Sequence, residues 1–354
     1  MPNPIQHIAI IRMSAMGDVA MTVPVIRAFV EQSRSLGTEV KITVVSRPFF
    51  KPFFDGIPNV NFFSVDVKGR HKGFLGLLKL YSDLKQLNID AVADLHNVLR
   101  SQIIRTLFAL SGKKVAFTDK GRAEKRALTR SENKVFKPIK TMVERHVDTF
   151  KKLGFNVDLS SRSFGTKFPK KDVMSSEILK ISGEKNSQKW IGIAPFAQYE
   201  SKVYPQDLMQ QVIDELASDS NTKIFLFGGG NKEIEILNSF ADGKVNVINV
   251  AGKLKLQQEL DLISNLDVML SMDSGNAHIA AMLGTKVITL WGATHPFAGF
   301  APFNQPFENC LVSDREKFTM LPTSVYGNKK VEGYEEAMRT ICPETVVEKI
   351  KGTI

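Results

Sequence analysis

The chain of 354 residues has only two cysteines, Cys310 and Cys342. That is too few for a disulfide framework, and their spacing suits no metal site. Long apolar runs are also lacking. The opening MPNPIQHIAIIRM has no basic leader, and Arg12 ends its apolar run after a few residues, so a buried first strand is expected rather than a signal peptide or spanning helix. No G-x-G-x-x-G follows that strand and no G-x-x-x-x-G-K-[ST] occurs anywhere, which argues against a dinucleotide-binding domain and a P-loop. Asp-x-Asp pairs and H-E-x-x-H are missing too, removing the commonest means of holding a metal–nucleotide complex or zinc. Internal repeats and low-complexity tracts are absent.

What remains has globular proportions, 43% hydrophobic and 24% charged, with enough length for two domains. The net charge of +10 is concentrated: residues 113–171 carry 17 Lys and Arg against 6 Asp and Glu. The rest of the chain is close to neutral. Such a stretch suits an anionic partner or, more simply, a solvated helical face. It contains Phe but no Trp or Tyr, so nothing beyond charge supports nucleic-acid binding.

Apolar runs alternate with helical patterns throughout. Strands are expected at 7–13, 40–46 and 91–96, with helices over about 18–36, from about Leu99 and over 142–153. The pattern restarts with strands at 190–196, 223–230, 245–252, 267–273 and 286–292, each followed by a helix except the last. Alternation of this kind predicts parallel α/β sheets covered on both faces. Two series predict two doubly wound, Rossmann-like domains facing a central cleft at the carboxyl ends of their strands. The expected boundaries are 1–165 for the first domain, 166–188 for a linker and 189–342 for the second. Residues 343–354 form a terminal helix expected to pack back on the first domain.

Several strand-to-helix junctions can carry chemistry. In SMDSGNAHIAAML, Asp273 and Ser274 suit a helix N-cap, while Ser274, Gly275 and Asn276 offer backbone N–H groups to an anion. His278 lies on the first turn. FGGGNKE places three glycines before a helix opening with Glu233, a form that suits a ligand lying against the backbone. In PFAQYESKVYP, Lys202 is a mobile cation able to meet a diphosphate or an ordinary surface lysine. In MSAMGDV, Gly17 permits a turn and Asp18 is either an N-cap or a general base.

Together these segments resemble the bacterial lipopolysaccharide heptosyltransferases. IIRMSAMGD (10–18) resembles the family's opening strand and Gly-Asp turn, and ADLHNVLRS (93–101) its D-x-[HQ]-G-x-x-[RK]-S segment, with Asn97 at the glycine position. VERHVDTFKKLG (143–154) resembles the interdomain helix. MDSGNAHIAAMLGTKVITLWGATHP is similar to the family's D-[ST]-G-x-x-H-x-A-A-x-x-G motif, strand and G-x-T-x-P turn, with His295 where an acid is common. The cysteines many relatives carry between 310 and 342 are missing here. The resemblance implies a GT-B fold and an inverting transfer of heptose from ADP-heptose to a lipid A-linked inner core, with no metal and no cofactor beyond the donor. It implies Asp18 as base and Gly17, His96 and Arg100 on the acceptor. Lys202, Glu233, Asp273, Ser274, Gly275, Asn276 and His278 fall to the donor. A cytoplasmic enzyme touching the inner membrane surface, with an anionic glycolipid partner, is the corresponding expectation. Another nucleotide-sugar donor, or a non-catalytic sugar-nucleotide or polyanion binder, are the rivals.

Overall fold

The computed structural model describes residues 5–160 and 174–354. They form two compact units, one of residues 5–122 and 140–160, the other of residues 123–139 and 174–354. Residues 123–139 thus belong to the second unit although the first continues on both sides. This differs from the single boundary expected near 165, and most of the expected linker's first half lies outside the described residues.

The first unit runs β1 (His7–Ile11), α1 (Met16–Ala20), α2 (Val23–Ser35), β2 (Lys41–Ser46), β3 (Val60–Ser64), α3 (Gly73–Lys85), β4 (Ala91–Asp94), α4 (Leu99–Leu110) and β5 (Lys114–Phe117). Helix α5 (Arg122–Thr129) opens the excursion, and α6 (Met142–Leu153) returns to the unit. The strands are all parallel in the order β3-β2-β1-β4-β5. Every residue of β1 is buried, as a central strand covered on both faces requires. One face packs Ile11, Val45 and Val92 against Leu77, Leu80 and Ile104 of α3 and α4. Elsewhere Phe29 of α2 lies 5.0 Å from Phe150 of α6 and 4.9 Å from Phe155, ring centre to ring centre. The helix expected over 18–36 is two pieces, because the chain turns at Met21–Thr22 before α2 starts at Val23, with Pro24 in its first turn. Helix α6 has the expected bounds, fixed by Thr141, whose hydroxyl accepts the Glu144 N–H, and by Gly154 at the left-handed end.

The second unit runs α7 (Ser176–Ser182), β6 (Lys189–Ala194), α8 (Gln206–Ala217), β7 (Thr222–Leu226), α9 (Asn231–Ala241), β8 (Val247–Asn249), α10 (Leu256–Ser264), β9 (Val268–Met272), α11 (Gly275–Met282), β10 (Lys286–Trp291), β11 (Cys310–Val312) and α12 (Pro343–Lys351). Its parallel order is β11-β10-β9-β6-β7-β8. Helix α12 belongs to this unit by its core contacts. Val346, Val347 and Ile350 join the core beside Val212, Ile213 and Leu216 of α8, and Lys351 pairs with Glu215. An amphipathic helix docks where its apolar stripe finds a matching one.

Each sheet has one point at which the winding reverses. In the first unit the chain proceeds outward from β1 to β2 and β3, then restarts on the other side with β4 and β5. In the second it goes from β6 to β7 and β8, then restarts with β9 to β11. Crossovers leave in opposite directions there, so the carboxyl ends of the two strands are not roofed by a connecting helix. Among the described residues, no helix is long and apolar enough to cross a membrane.

Candidate active site

The expected residues other than Glu233 lie on segments that follow the strands at these two reversal points, one set in each unit. In the first unit, Arg12 leaves the end of β1 and is buried. One guanidinium nitrogen donates to the Leu95 carbonyl beyond β4 at 2.7 Å, and the other lies 2.6 Å from Asp18. Asp18 sits in the first turn of α1, its side chain 30% exposed, and accepts the Ala15 N–H at 3.2 Å. His96 follows β4 and is buried, with Nε2 within 3.4 Å of Ser14 Oγ. Burial first, then the cations of Arg12, Lys120 and Arg100, pull the His96 imidazole down to about 3, against a smaller opposing pull from Asp18. At neutral pH it is an uncharged hydrogen-bonding group.

The turn carrying His96 is built on Asp94, which is fully buried. One of its carboxylate oxygens accepts the N–H groups of His96 and Asn97 at 3.0 and 2.7 Å, and the other pairs with Arg105 at 2.9 Å. Arg105 in turn lies 3.9 Å over the Phe117 ring. Asn97 has φ +46°, a left-handed conformation that asparagine tolerates better than most residues, which accounts for an amide where glycine is common. Gly17 is buried within α1, and Arg100 is half-buried in the first turn of α4. Sequence reasoning missed Arg12, Arg105 and Lys120. The signal for Arg12 was a cation closing an apolar strand, where only a buried partner makes it tolerable.

In the second unit, Lys202 follows β6 and Asp273 follows β9, and they meet across the reversal point. Lys202 Nζ donates to Asp273 Oδ2 at 3.2 Å, with the two side chains 11% and 9% exposed. Thr294, following β10, donates to the same oxygen at 2.8 Å. Lys202 is therefore neither mobile nor an ordinary surface lysine: it is buried and held. Gly327 makes room for it, having φ +83° and a position where a Cβ would meet Lys202 Cγ at 2.6 Å. Asp273 does not cap α11, because its carboxylate is committed to Lys202 and Thr294. Ser274 occupies the cap position, but its hydroxyl lies 3.1 Å from Ser271 Oγ and makes no cap bond. Ser274, Gly275 and Asn276 are half-buried at the helix start, where backbone N–H groups and the helix dipole favour an anion. His278 is buried on the first turn.

Glu233 is not drawn into this group. At the start of α9 it folds back and accepts the Gly229 N–H at 2.7 Å, closing its own glycine loop. Gly229 and Gly230 have no neighbouring atoms within 4 Å of the position a Cβ would take, so the loop presents open backbone. His295 is buried, accepts the Phe297 N–H at 3.1 Å and is pulled down to about 4 by burial and by Arg315. Arg315 lies 3.3 Å over the Phe136 ring, and Lys134 donates to the carbonyls of Met320 and Pro322 at 2.7 Å each. Much of the basic stretch is thus spent internally: Lys125 is buried, 4.0 Å over the Phe300 ring, and Lys114 binds the Leu153 carbonyl. Among the described residues, no three His, Cys, Asp or Glu side chains cluster as a metal site.

The chain resembles known proteins in sequence and in fold. The chain is 27% identical over 304 residues to the lipopolysaccharide core heptosyltransferase OpsX of Haemophilus influenzae, covering 84% of this chain and 82% of that protein. It is 22% identical over 362 residues to lipopolysaccharide heptosyltransferase 1 of Campylobacter coli, covering 97% and 98%. The fold superposes on a family 9 glycosyl transferase from Veillonella parvula with a TM-score of 0.74 at 19% identity, covering 100% of this chain and 98% of that one. For the E. coli heptosyltransferase WaaC with ADP the score is 0.68 at 18% identity, covering 98% and 100%. Two parallel-sheet α/β units of this kind are those of GT-B glycosyltransferases. Residues 77–327 match the profile of glycosyltransferase family 9 (heptosyltransferase). That stretch takes in the Asp94 turn of one unit and the Lys202–Asp273 pair of the other, and it makes the chain a member of the heptosyltransferase family, a glycosyltransferase.

Proposed function

We propose that the enzyme transfers a heptose from ADP-heptose to a lipid A-linked lipopolysaccharide inner core, by an inverting reaction that needs no metal. The observation that carries this reading is the buried Lys202–Asp273–Thr294 group beside the start of α11, in a chain of this family. A lysine ammonium has three N–H groups, and one is used by Asp273. The others, with the amides at Gly275 and Asn276, meet the donor diphosphate and stabilise the charge that develops as ADP leaves. Glu233 and its open glycine loop contact the nucleotide or sugar, and His278 supports the helix start beneath it.

The first unit supplies the acceptor chemistry. The acceptor hydroxyl attacks the anomeric carbon, the bond from that carbon to the diphosphate oxygen breaks, and the hydroxyl proton passes to Asp18. His96, uncharged and lowered to about 3, is too weak a base for this task and instead orients the hydroxyl, with Gly17 and Arg100 beside it. Positive surface on the chain faces an anionic, membrane-anchored acceptor from the cytoplasmic side.

Melting curves with ADP, GDP and UDP test the donor, since a ligand of the folded state raises the melting temperature by mass action. Selective protection by ADP is expected, whereas GDP or UDP reassigns the donor. Asp18→Asn should lower turnover about 10²–10⁴-fold while leaving ADP protection unchanged. Wild-type turnover in that variant refutes the assignment of the base.

A further inference from the structure

Helix α3 of the first unit has two apolar sides near its start. Gly76, Leu77, Leu80 and Leu84 face the core. Phe74, Leu75 and Leu78 point to solvent and are 63%, 73% and 38% exposed. Leu78 stands four residues after Phe74 and three after Leu75, so it joins both into one patch. Contiguous exposed apolar patches mark interaction surfaces more often than scattered single residues do.

The surroundings of the patch are cationic. Lys72 precedes the helix, and Lys79 and Lys85 share its solvent face. Lys68 and Arg70 lie on the preceding loop. Residues 66–85 carry five Lys and Arg against two carboxylates, Asp66 and Asp83, which are both hydrogen-bonded in place. Asp66 accepts the N–H groups of Lys68, Gly69 and Arg70 at 3.2, 2.8 and 3.0 Å. Asp83 takes two bonds from Arg70 at 2.9 and 2.7 Å and one contact from His71 at 3.1 Å, and the Arg70 bond leads in pulling it down to about 2. His71 is buried and accepts the Asp66 N–H at 3.0 Å through Nδ1. A Cβ at position 76 would meet the His71 carbonyl carbon at 2.4 Å, so the loop is seated tightly on the first turn. The patch is held in shape before any partner arrives.

We propose that the exposed face of α3, with Phe74, Leu75 and Leu78 inserted and Lys72, Lys79 and Lys85 around them, docks on an anionic phospholipid bilayer. Apolar side chains enter the boundary between headgroups and acyl chains, while lysines reach the lipid phosphates along their aliphatic stems. A second copy of the chain is a poor occupant, because a twofold contact sets the same three lysines against their own copies. The inference concerns a surface apart from the transferase residues, and its test contains neither donor nor acceptor, so it can fail while the proposed reaction stands.

The test is co-sedimentation of the full chain with vesicles of phosphatidylethanolamine and phosphatidylglycerol, against vesicles of phosphatidylcholine alone. The chain should pellet with the first and stay in solution with the second. Phe74→Ser combined with Leu75→Ser should lower the bound-to-free ratio more than about tenfold, and each of Lys72→Glu and Lys79→Glu at least about fivefold. All four positions are exposed, and an unchanged melting curve confirms each fold. Leu75→Trp gives a second reading. Trp190 and Trp291 are fully buried in the second unit, so a blue shift of emission on adding anionic vesicles reports insertion at position 75. Failure of the wild type to pellet, pelleting unaffected by the double serine variant, or an unshifted Leu75→Trp spectrum each overturns the proposal. So does a concentration-dependent dimer that the serine variant abolishes, which would give the patch to a second copy.

Discussion

Replacing Lys202 by methionine should destabilise the second unit far more than a surface lysine change does. The reason lies in what is left behind. Asp273 has a side chain only 9% exposed, and its remaining partner is the Thr294 hydroxyl at 2.8 Å. A buried charge stripped of its counter-ion costs about 3–5 kcal/mol, against roughly 0–1 kcal/mol for an exposed pair. For a unit of this size, that lowers the melting temperature by on the order of 10 °C. Adding Asp273→Asn removes the stranded charge while keeping the shape, so the double variant should recover at least half of the loss. Urea titration followed by tryptophan fluorescence is the right assay, because Trp190 and Trp291 both lie in the second unit and report it alone. The double variant carries a second expectation: regained stability without ADP protection, since the cation for the diphosphate is gone. If Lys202→Met stays within about 1 kcal/mol of wild type, the pair is solvated and the reasoning fails. Additive single and double effects would fail it equally, because a true pair must couple.

The remaining predictions are shorter. In the first unit, His96 binds its proton at about pH 3 when folded and near 6.5 when unfolded. The unfolded chain therefore takes up the proton first as pH falls, and stability should decline from pH 6.5 toward 3, by at most about 1.4 kcal/mol per pH unit. Buried His7, also lowered, acts in the same direction; His96→Gln should flatten the slope of hydrogen exchange in β1 against pH, and an unchanged slope removes His96 from the account. Arg105→Met leaves Asp94 buried beside uncharged partners, so a loss of about 3 kcal/mol and faster exchange at the His96 and Asn97 amides are expected; unchanged exchange there would mean the turn does not depend on the pair. Gly327→Ala should push Lys202 off Asp273, because the new methyl overlaps its Cγ at a φ of +83°, and ADP protection should vanish. Retained protection would show that Lys202 reaches the nucleotide from another position.

Periodicity carried the architecture. The strand-and-helix alternation gave both parallel sheets, and the bounds expected for α6 from its helical pattern coincide with local caps at Thr141 and Gly154. The misses have physical causes. Strand β3 lies at the sheet edge with a mixed burial pattern, so VNFFS lacks the continuous apolar run of a central strand. The segment 123–139 could not be assigned by composition, since its anchors are long-range: Lys134 on two carbonyls nearly 190 positions away and Ile139 N–H on the Phe297 carbonyl. Asp273 looked like a helix cap because Asp and Ser before a helix usually are. What moved it was a lysine 71 positions earlier, invisible to any local rule.

That error points to how the two candidate sites are built. In a doubly wound sheet, the crossover helices cover every strand end except at the reversal of winding. Side chains that reach into that gap lose water without gaining apolar neighbours, so a charged residue persists there only with a partner. The first unit solves this with Arg12, which spans from β1 to the Leu95 carbonyl beyond β4 and carries Asp18 on its other nitrogen. The second solves it with Lys202 after β6 and Asp273 after β9. In both, the buried cation ties together the two strands that diverge, and in both it is the same group that meets a substrate in the proposed reaction or holds the one that does. Stability and chemistry are then coupled at these positions under the proposed reaction: a variant that removes both charges of a pair should regain much of the unit's stability while losing the electrostatics for the substrate.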